Sequence, residues 1–238
     1  MVAKDGMGLV IGSFVLLALV FGLNYFFPHA ITSTLVWILA VFVVFNLYFF
    51  RDPNRRAPKN ELAVIAPGDG KVVDVTHVTE PEYFNNKVQR ISIFLSVFNV
   101  HVNRSPISGT VDYFAYHPGK FLAAFKEKAS IDNEQTAIGI SMQSGQRVLF
   151  KQIAGLIARR IICNLKEGQW TNAGERMGMI RYGSRVDVFV PFDAKIQVKV
   201  GQKVRAGESI LATFPDEKDL AREQERLVEM PQGELPGS

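Results

Sequence analysis

The chain of 238 residues has one cysteine, so it can form no internal disulfide and cannot assemble a zinc site from thiolates. That Cys163 follows Ile161 and Ile162 and reads as a buried structural thiol. Lysine and arginine outnumber aspartate and glutamate by 27 to 23, with no dense basic run, which argues against a nucleic-acid binder. The most informative absence is local: residues 6–50 contain no Asp, Glu, Lys or Arg.

That uncharged stretch is two apolar runs of 20 residues, Gly8 to Phe27 and Ile31 to Phe50, broken by Pro28-His29-Ala30. A helix of ~20 residues at ~1.5 Å per residue matches a hydrocarbon core of ~30 Å. A cleavable signal peptide fits poorly, because the stretch is too long, only Lys4 precedes it and no small-residue cleavage site divides it. Residues 1–50 are therefore expected to form a membrane hairpin, either spanning or re-entrant. Arg51, Arg55, Arg56 and Lys59 follow it with only Asp52 opposing them, which puts this end and the N-terminus on the cytoplasmic face of the cell membrane. The same cluster would attract an anionic membrane surface. Removing residues 1–50 is expected to leave a soluble β domain that keeps its own chemistry but acts far more slowly on lipid in vesicles, because the hairpin supplies local concentration at the bilayer.

Residues 51–215 read as one β-rich domain and 216–238 as a polar tail of net charge −4. Short alternating or apolar runs at Lys71–Val78, Arg90–Val102, Gly109–Tyr116, Ala137–Met142, Arg147–Ile153, Met179–Tyr182, Arg185–Val190 and Ile196–Val200 predict strands. Phe121–Ala129 and Leu156–Cys163 predict short helices, and the tail begins helical. A weak repeat relates Ala66-Pro67-Gly68-Asp69-Gly70-Lys71-Val72 to Ser105-Pro106-Ile107-Ser108-Gly109-Thr110-Val111. Proline opens each turn and glycine is expected at positive φ. A related glycine rhythm runs from Val198 to Ile210 and resembles lipoyl and biotinyl carrier folds, without their lysine-bearing tip. The expected fold is mainly β (α+β), with barrel-sandwich-like lobes behind an N-terminal hydrophobic helical hairpin.

Four histidines are present. His29 lies in the hairpin turn and His77 among ordinary polar residues, so both read as structural. His117, in Tyr116-His117-Pro118-Gly119, sits in a turn. His101 continues the parity of the apolar positions in Ile91–Val97 and falls between Asn99 and Asn103, where a core stripe becomes polar. It reads either as a general base or as a satisfied, partly buried histidine. Asp69, in Pro67-Gly68-Asp69-Gly70, is a turn former or, given a histidine partner, the orienting carboxylate of a triad. In Gly183-Ser184 the serine hydroxyl could attack the carbonyl before it, since glycine places no side chain in the way.

These segments in order, Arg51-Asp52-Pro53, Ala66-Pro67-Gly68-Asp69-Gly70, Val100-His101-Val102-Asn103, Asp132-Asn133-Glu134 and Gly174-Glu175-Arg176-Met177-Gly178 leading to Gly183-Ser184-Arg185, resemble the phosphatidylserine decarboxylase proenzymes of the short, compact form, which are pyruvoyl-dependent decarboxylases. The resemblance implies self-cleavage between Gly183 and Ser184, with Ser184 becoming a covalent pyruvoyl group, His101 as activating base and Asp69 as orienting carboxylate. It implies conversion of phosphatidylserine to phosphatidylethanolamine and CO₂, with no pyridoxal phosphate and no metal. The partners implied are the lipid, an anionic membrane surface and the two cleavage products held as a heterodimer, with higher oligomers open and no nucleic acid. Longer relatives carry a second histidine where this chain has Phe98, so that role falls to water, His117 or His101. The competing reading is a membrane-anchored adaptor with a lipoyl-like β domain, in which Gly183-Ser184 is an ordinary turn.

Overall fold

The computed structural model describes residues 1–119, 133–155, 161–181 and 184–216. A single 3-10 turn, Lys4–Gly6, leads into helix α1 (Met7–Phe26), and a short link connects it to α2 (Ala30–Phe49). Each helix has 20 residues, and both are long and apolar enough to cross a membrane. Their outward surfaces are apolar too: Leu19, Tyr25 and Trp37 are largely exposed, as expected of helices with no polar face. The link is closed by hydrogen bonds. His29 caps α2 by accepting from the Ile31 amide, and Asn24 Oδ1 accepts from the hydroxyls of Thr32 (2.6 Å) and Ser33 (3.0 Å).

Fourteen strands follow among the described residues; β11 (Ser184–Val190) lies in the middle of the largest sheet, beside β3 (Asn86–Leu95), which pairs in turn with β2 (Gly70–Glu80). The curled eight-stranded sheet runs β13 (Lys203–Val204), β2, β3, β11, β7 (Arg147–Ala154), β6 (Gln135–Ser141), β5 (Gly109–His117) and β9 (Trp170–Thr171). Two three-stranded sheets flank it: β1 (Ala63–Ile65), β14 (Ile210–Thr213) and β12 (Lys195–Ile196), and β4 (Val102–Arg104), β10 (Arg176–Ile180) and β8 (Ile161–Cys163). Alternation assigns the faces. Val186, Val188 and Val190 of β11 join Ile91, Ile93 and Leu95 of β3 in the main core. Arg185 lies on the reverse face and donates to Asp187 at 2.6 Å and to Ser92 at 2.7 Å.

The repeat is structural. The amide of Arg104 donates to Pro67 O, and the amide of Ile65, its counterpart, donates to Pro106 O, both at 2.9 Å. Gly207 N donates to Ala66 O while Gly174 N donates to Ser105 O. The symmetry thus extends to a second pair of segments, Ala173-Gly174-Glu175 and Ala206-Gly207-Glu208, whose glycines have φ of 80° and 73°. These interlocked, reciprocal turns make the barrel-sandwich architecture of the domain.

Several sequence expectations shift. Gly68, Gly70 and Gly109 do not have positive φ; a Cβ at Gly70 or Gly109 would instead collide with the carbonyl of Phe94 or Ser141 on the neighbouring strand. The run Arg90–Val102 is broken after Leu95, because Asn99 Oδ1 accepts from the Ser96 amide and hydroxyl and folds residues 96–99 into a turn. Residues 161–163 are a strand paired with β10 rather than the end of a helix, since β-branched Ile161 and Ile162 fit an open sheet edge. The run Ile196–Val200 keeps only its first residue in a strand, β12. The expected helix Phe121–Ala129, residues 156–160, Asp132, Tyr182, Gly183 and the tail beyond Asp216 lie outside the described residues.

Candidate active site

Ser184 is the first residue of β11, opposite Leu95 of β3 and Ala154 of β7. It is fully buried, and its Oγ has no hydrogen-bond partner among the described residues. A buried hydroxyl left unpaired costs about 1–3 kcal/mol, so a structural serine here would be a poor choice over alanine. Asn133, from the segment quoted above, donates from Nδ2 to Ala154 O at 2.7 Å, beside Ser184.

Two elements cover this face of the sheet. Asn103 of β4 accepts from Gln152 Nε2 at 2.8 Å, and Gln152 stands opposite Val186, one step along the face from Ser184. The turn at Gly68 packs on the side chains of Leu95 and Asn103, where an added Cβ would lie 3.2 Å from Leu95. His101 immediately precedes β4, two residues before Asn103.

His101 is completely buried. Its Nδ1 lies 2.9 Å from the carbonyl oxygen of Asn99. A carbonyl only accepts, so Nδ1 carries the proton and Nε2 is the basic nitrogen. Desolvation pulls the imidazole pKa down to about 4; the Asn99 hydrogen bond opposes this and the charge of Arg51 adds to it. The ring of Phe49, at the end of α2, lies against it with centroids 4.1 Å apart.

Asp69 has other partners. Its carboxylate takes Arg55 Nη2 at 2.9 Å and the Ala206 amide at 2.8 Å. Arg55 also donates to Glu208 at 2.9 Å. The structure therefore brings Asp69 beside the His101 segment without a bond to the ring, and it gives Arg55, read from sequence only as part of a basic flank, the role of its counter-ion. Both line a cavity of about 510 Å³ with Arg51, Asp52, Val100 and Arg205. This cavity opens beside the lower end of α2. No sequence signal pointed to the Phe49–His101 contact, because it joins segments read as separate domains.

His117 is not brought to this site. It closes β5, three strands from β11, hence ~14 Å away at ~4.8 Å per strand, and it faces Glu82 at 3.5 Å. His77 rests on the Phe192 ring. Phe98 is 67% exposed, and its carbonyl accepts from Tyr48 and Arg51.

Comparison with known proteins identifies the family. The family model for phosphatidylserine decarboxylase matches residues 42–212. The phosphatidylserine decarboxylase proenzyme of Cytophaga hutchinsonii is 46% identical over 82% of this chain and 89% of its own length. That of Amoebophilus asiaticus is 48% identical over 79% of this chain and 81% of its own. The proenzyme from the Wolbachia of Brugia malayi is 42% identical over 94% of both chains, hairpin region included. The chain belongs to the phosphatidylserine decarboxylase family.

Proposed function

We propose that this chain is a self-cleaving proenzyme that decarboxylates phosphatidylserine at the cytoplasmic face of a membrane, with Ser184 as the source of a pyruvoyl group. The observation that carries the reading is the buried Ser184 hydroxyl with no hydrogen-bond partner among the described residues, on the sheet face that Asn103 reaches through Gln152. A nucleophile held dry and unpaired is set up for internal attack, and in this reading the neutral imidazole of His101 is its base.

His101 Nε2 takes the Ser184 proton as Oγ bonds to the Gly183 carbonyl carbon; the peptide C–N bond breaks and the Ser184 nitrogen gains a proton, giving an ester. Loss of the Ser184 α-proton then breaks the Cβ–Oγ bond. Gly183 leaves as a carboxylate and dehydroalanine remains. Its imine tautomer is hydrolysed by water, releasing ammonia. The pyruvoyl group so formed would supply the electron sink for loss of CO₂. Asn99 fixes the tautomer of the base. Asp69 balances Arg55 in the cavity wall, where Arg51, Arg205, Asp52 and Glu208 offer both signs of charge to a headgroup that carries phosphate, carboxylate and amine.

The two products would stay together as a heterodimer, because β11 is hydrogen-bonded between β3 and β7 and the later strands β13 and β14 pair with β2 and β1. The test is the intact mass of the purified chain. Processing yields fragments 1–183 and 184–238, the smaller one blocked to Edman degradation, and Ser184→Ala leaves a single chain of 26.6 kDa without decarboxylase activity. An intact, Edman-readable wild type with full activity would overturn the reading, and an intact inactive one would favour the adaptor.

A further inference from the structure

Among the described residues the hairpin meets the β domain near its ends, and those contacts reach His101 and the approach to Ser184. Phe49 covers the His101 ring, and Phe49, Phe50 and His101 are all fully buried. Phe50 joins Ala3, Val10, Val100, Val102 and Met179 in one apolar cluster. Tyr48 Oη and Arg51 Nη2 both donate to Phe98 O, at 3.1 and 2.8 Å. They thereby hold the turn whose Asn99 carbonyl fixes the tautomer of His101. At the other end, Arg181, three residues before Ser184, donates to the carbonyl of Asp5 at 2.8 Å. The two ends are tied together: Ala3 N donates to Phe50 O at 2.8 Å and Asp52 N to Met1 O at 2.7 Å. Gly6 has no room for a Cβ against the Phe50 ring.

Between these ends the helices expose apolar side chains such as Leu19, Ile38 and Val41 and, among the described residues, pack mainly on each other, so in water they have no folded alternative and their stable environment is a bilayer. We propose that docking of the membrane-inserted hairpin completes the self-processing site, with Phe49 and Asp5 as positioning residues for His101 and for the approach to Ser184, so that the precursor matures only once it is in the membrane. The inference rests on the processing reading above. It makes insertion a licence for cleavage: the active form arises only where its lipid is. A base displaced by ~1 Å loses on the order of 10²-fold in rate, so undocking the ends suffices to hold the precursor without any dedicated inhibitor.

The test is precursor half-life in cell-free synthesis with vesicles of phosphatidylethanolamine and phosphatidylglycerol. Phe49→Ala and Gly6→Leu keep both apolar runs, so they should still insert, as judged by resistance to carbonate extraction, yet cleave at least about tenfold more slowly. Phe49→Leu, which preserves the apolar cover, should cleave near the wild-type rate. Water admitted by Phe49→Ala should also move the acid limb of cleavage upward, toward the ordinary histidine range. The charge of Arg51 acts on that ring, and it and the Asp52–Arg104–Arg176 ion-pair network are present in every variant. Slow cleavage of Phe49→Ala with an unshifted acid limb would mean general misfolding and overturn the proposal. So would wild-type rates in Phe49→Ala and Gly6→Leu. If wild type itself is not cut at 183/184 in vesicles, the processing reading fails instead.

Discussion

The main-chain oxygen of Asn99 lies 2.9 Å from Nδ1 of His101 and decides which ring nitrogen can accept a proton. In a triad that task belongs to a carboxylate; here a neutral carbonyl does it, inside a turn that the sequence pattern ran through as strand. Asp69, the carboxylate expected in that place, is engaged by Arg55 and the Ala206 amide instead.

Burial changes the expected pH dependence. An ordinary histidine would lose its base form near pH 6.5, so the sequence predicts slower cleavage at mildly acidic pH. With the pKa pulled down to about 4, cleavage should stay flat from about pH 8 to about pH 5.5 and fall only below that. Precursor half-life against pH measures it. A decline centred near pH 6.5 would show that the imidazole is wet during catalysis.

The same shift bears on stability. Between the unfolded value of 6.5 and the folded value of about 4 the unfolded chain binds the extra proton, so stability is complete above pH 6.5 and is lost as pH falls toward 4. Its size is on the order of 3 kcal/mol. Uncleavable Ser184→Ala precursor should lose Tm over this window, and the Ser184→Ala, His101→Phe double variant should lose less.

Gly70→Ala should destabilise the precursor by roughly 2–3 kcal/mol, as overpacking does, because its Cβ would enter the carbonyl of Phe94. Asp187→Ala should cost about 3–5 kcal/mol by stranding buried Arg185. Chemical denaturation of the Ser184→Ala precursor checks both, and a loss below about 1 kcal/mol in either would show that the strands shift to accommodate it.

Much of the fold was legible because its causes are local. Absence of charge over residues 6–50 marked α1 and α2, and alternation at Arg185–Val190 marked β11. The repeat at Pro67 and Pro106 marked reciprocal turns, although their glycines serve close backbone approach rather than positive φ. What stayed hidden depends on distant partners. Residues 161–163 are a strand only because β10 lies beside them. Asn99 ends β3 through a side-chain contact that no periodicity encodes. Ser184 and His101 could be singled out by type and spacing, whereas the hairpin's cover over His101 joins segments that a linear reading separates.

The last prediction concerns Asp69 and Arg55. Asp69 holds Arg55 at 2.9 Å with both side chains largely buried, and both line the cavity beside Val100, the neighbour of His101. When His101 takes the serine proton it becomes a cation, and Arg51 already opposes that charge. Asp69→Asn keeps an acceptor for the Ala206 amide but leaves Arg55 matched only by Glu208. The net positive charge near the imidazolium rises, and cleavage should slow by roughly one to two powers of ten, since each pKa unit of lost basicity is about 1.4 kcal/mol. Replacing Arg55 as well, in Asp69→Asn/Arg55→Gln, removes the uncompensated cation and should restore much of the rate. A carboxylate that instead orients His101 directly would need to leave Arg55 to do so, and the double variant would then stay as slow as the single one. Precursor half-lives of the two single variants and the double variant therefore assign Asp69 to charge balance or to the triad, and a normal rate in Asp69→Asn would reduce it to a turn former.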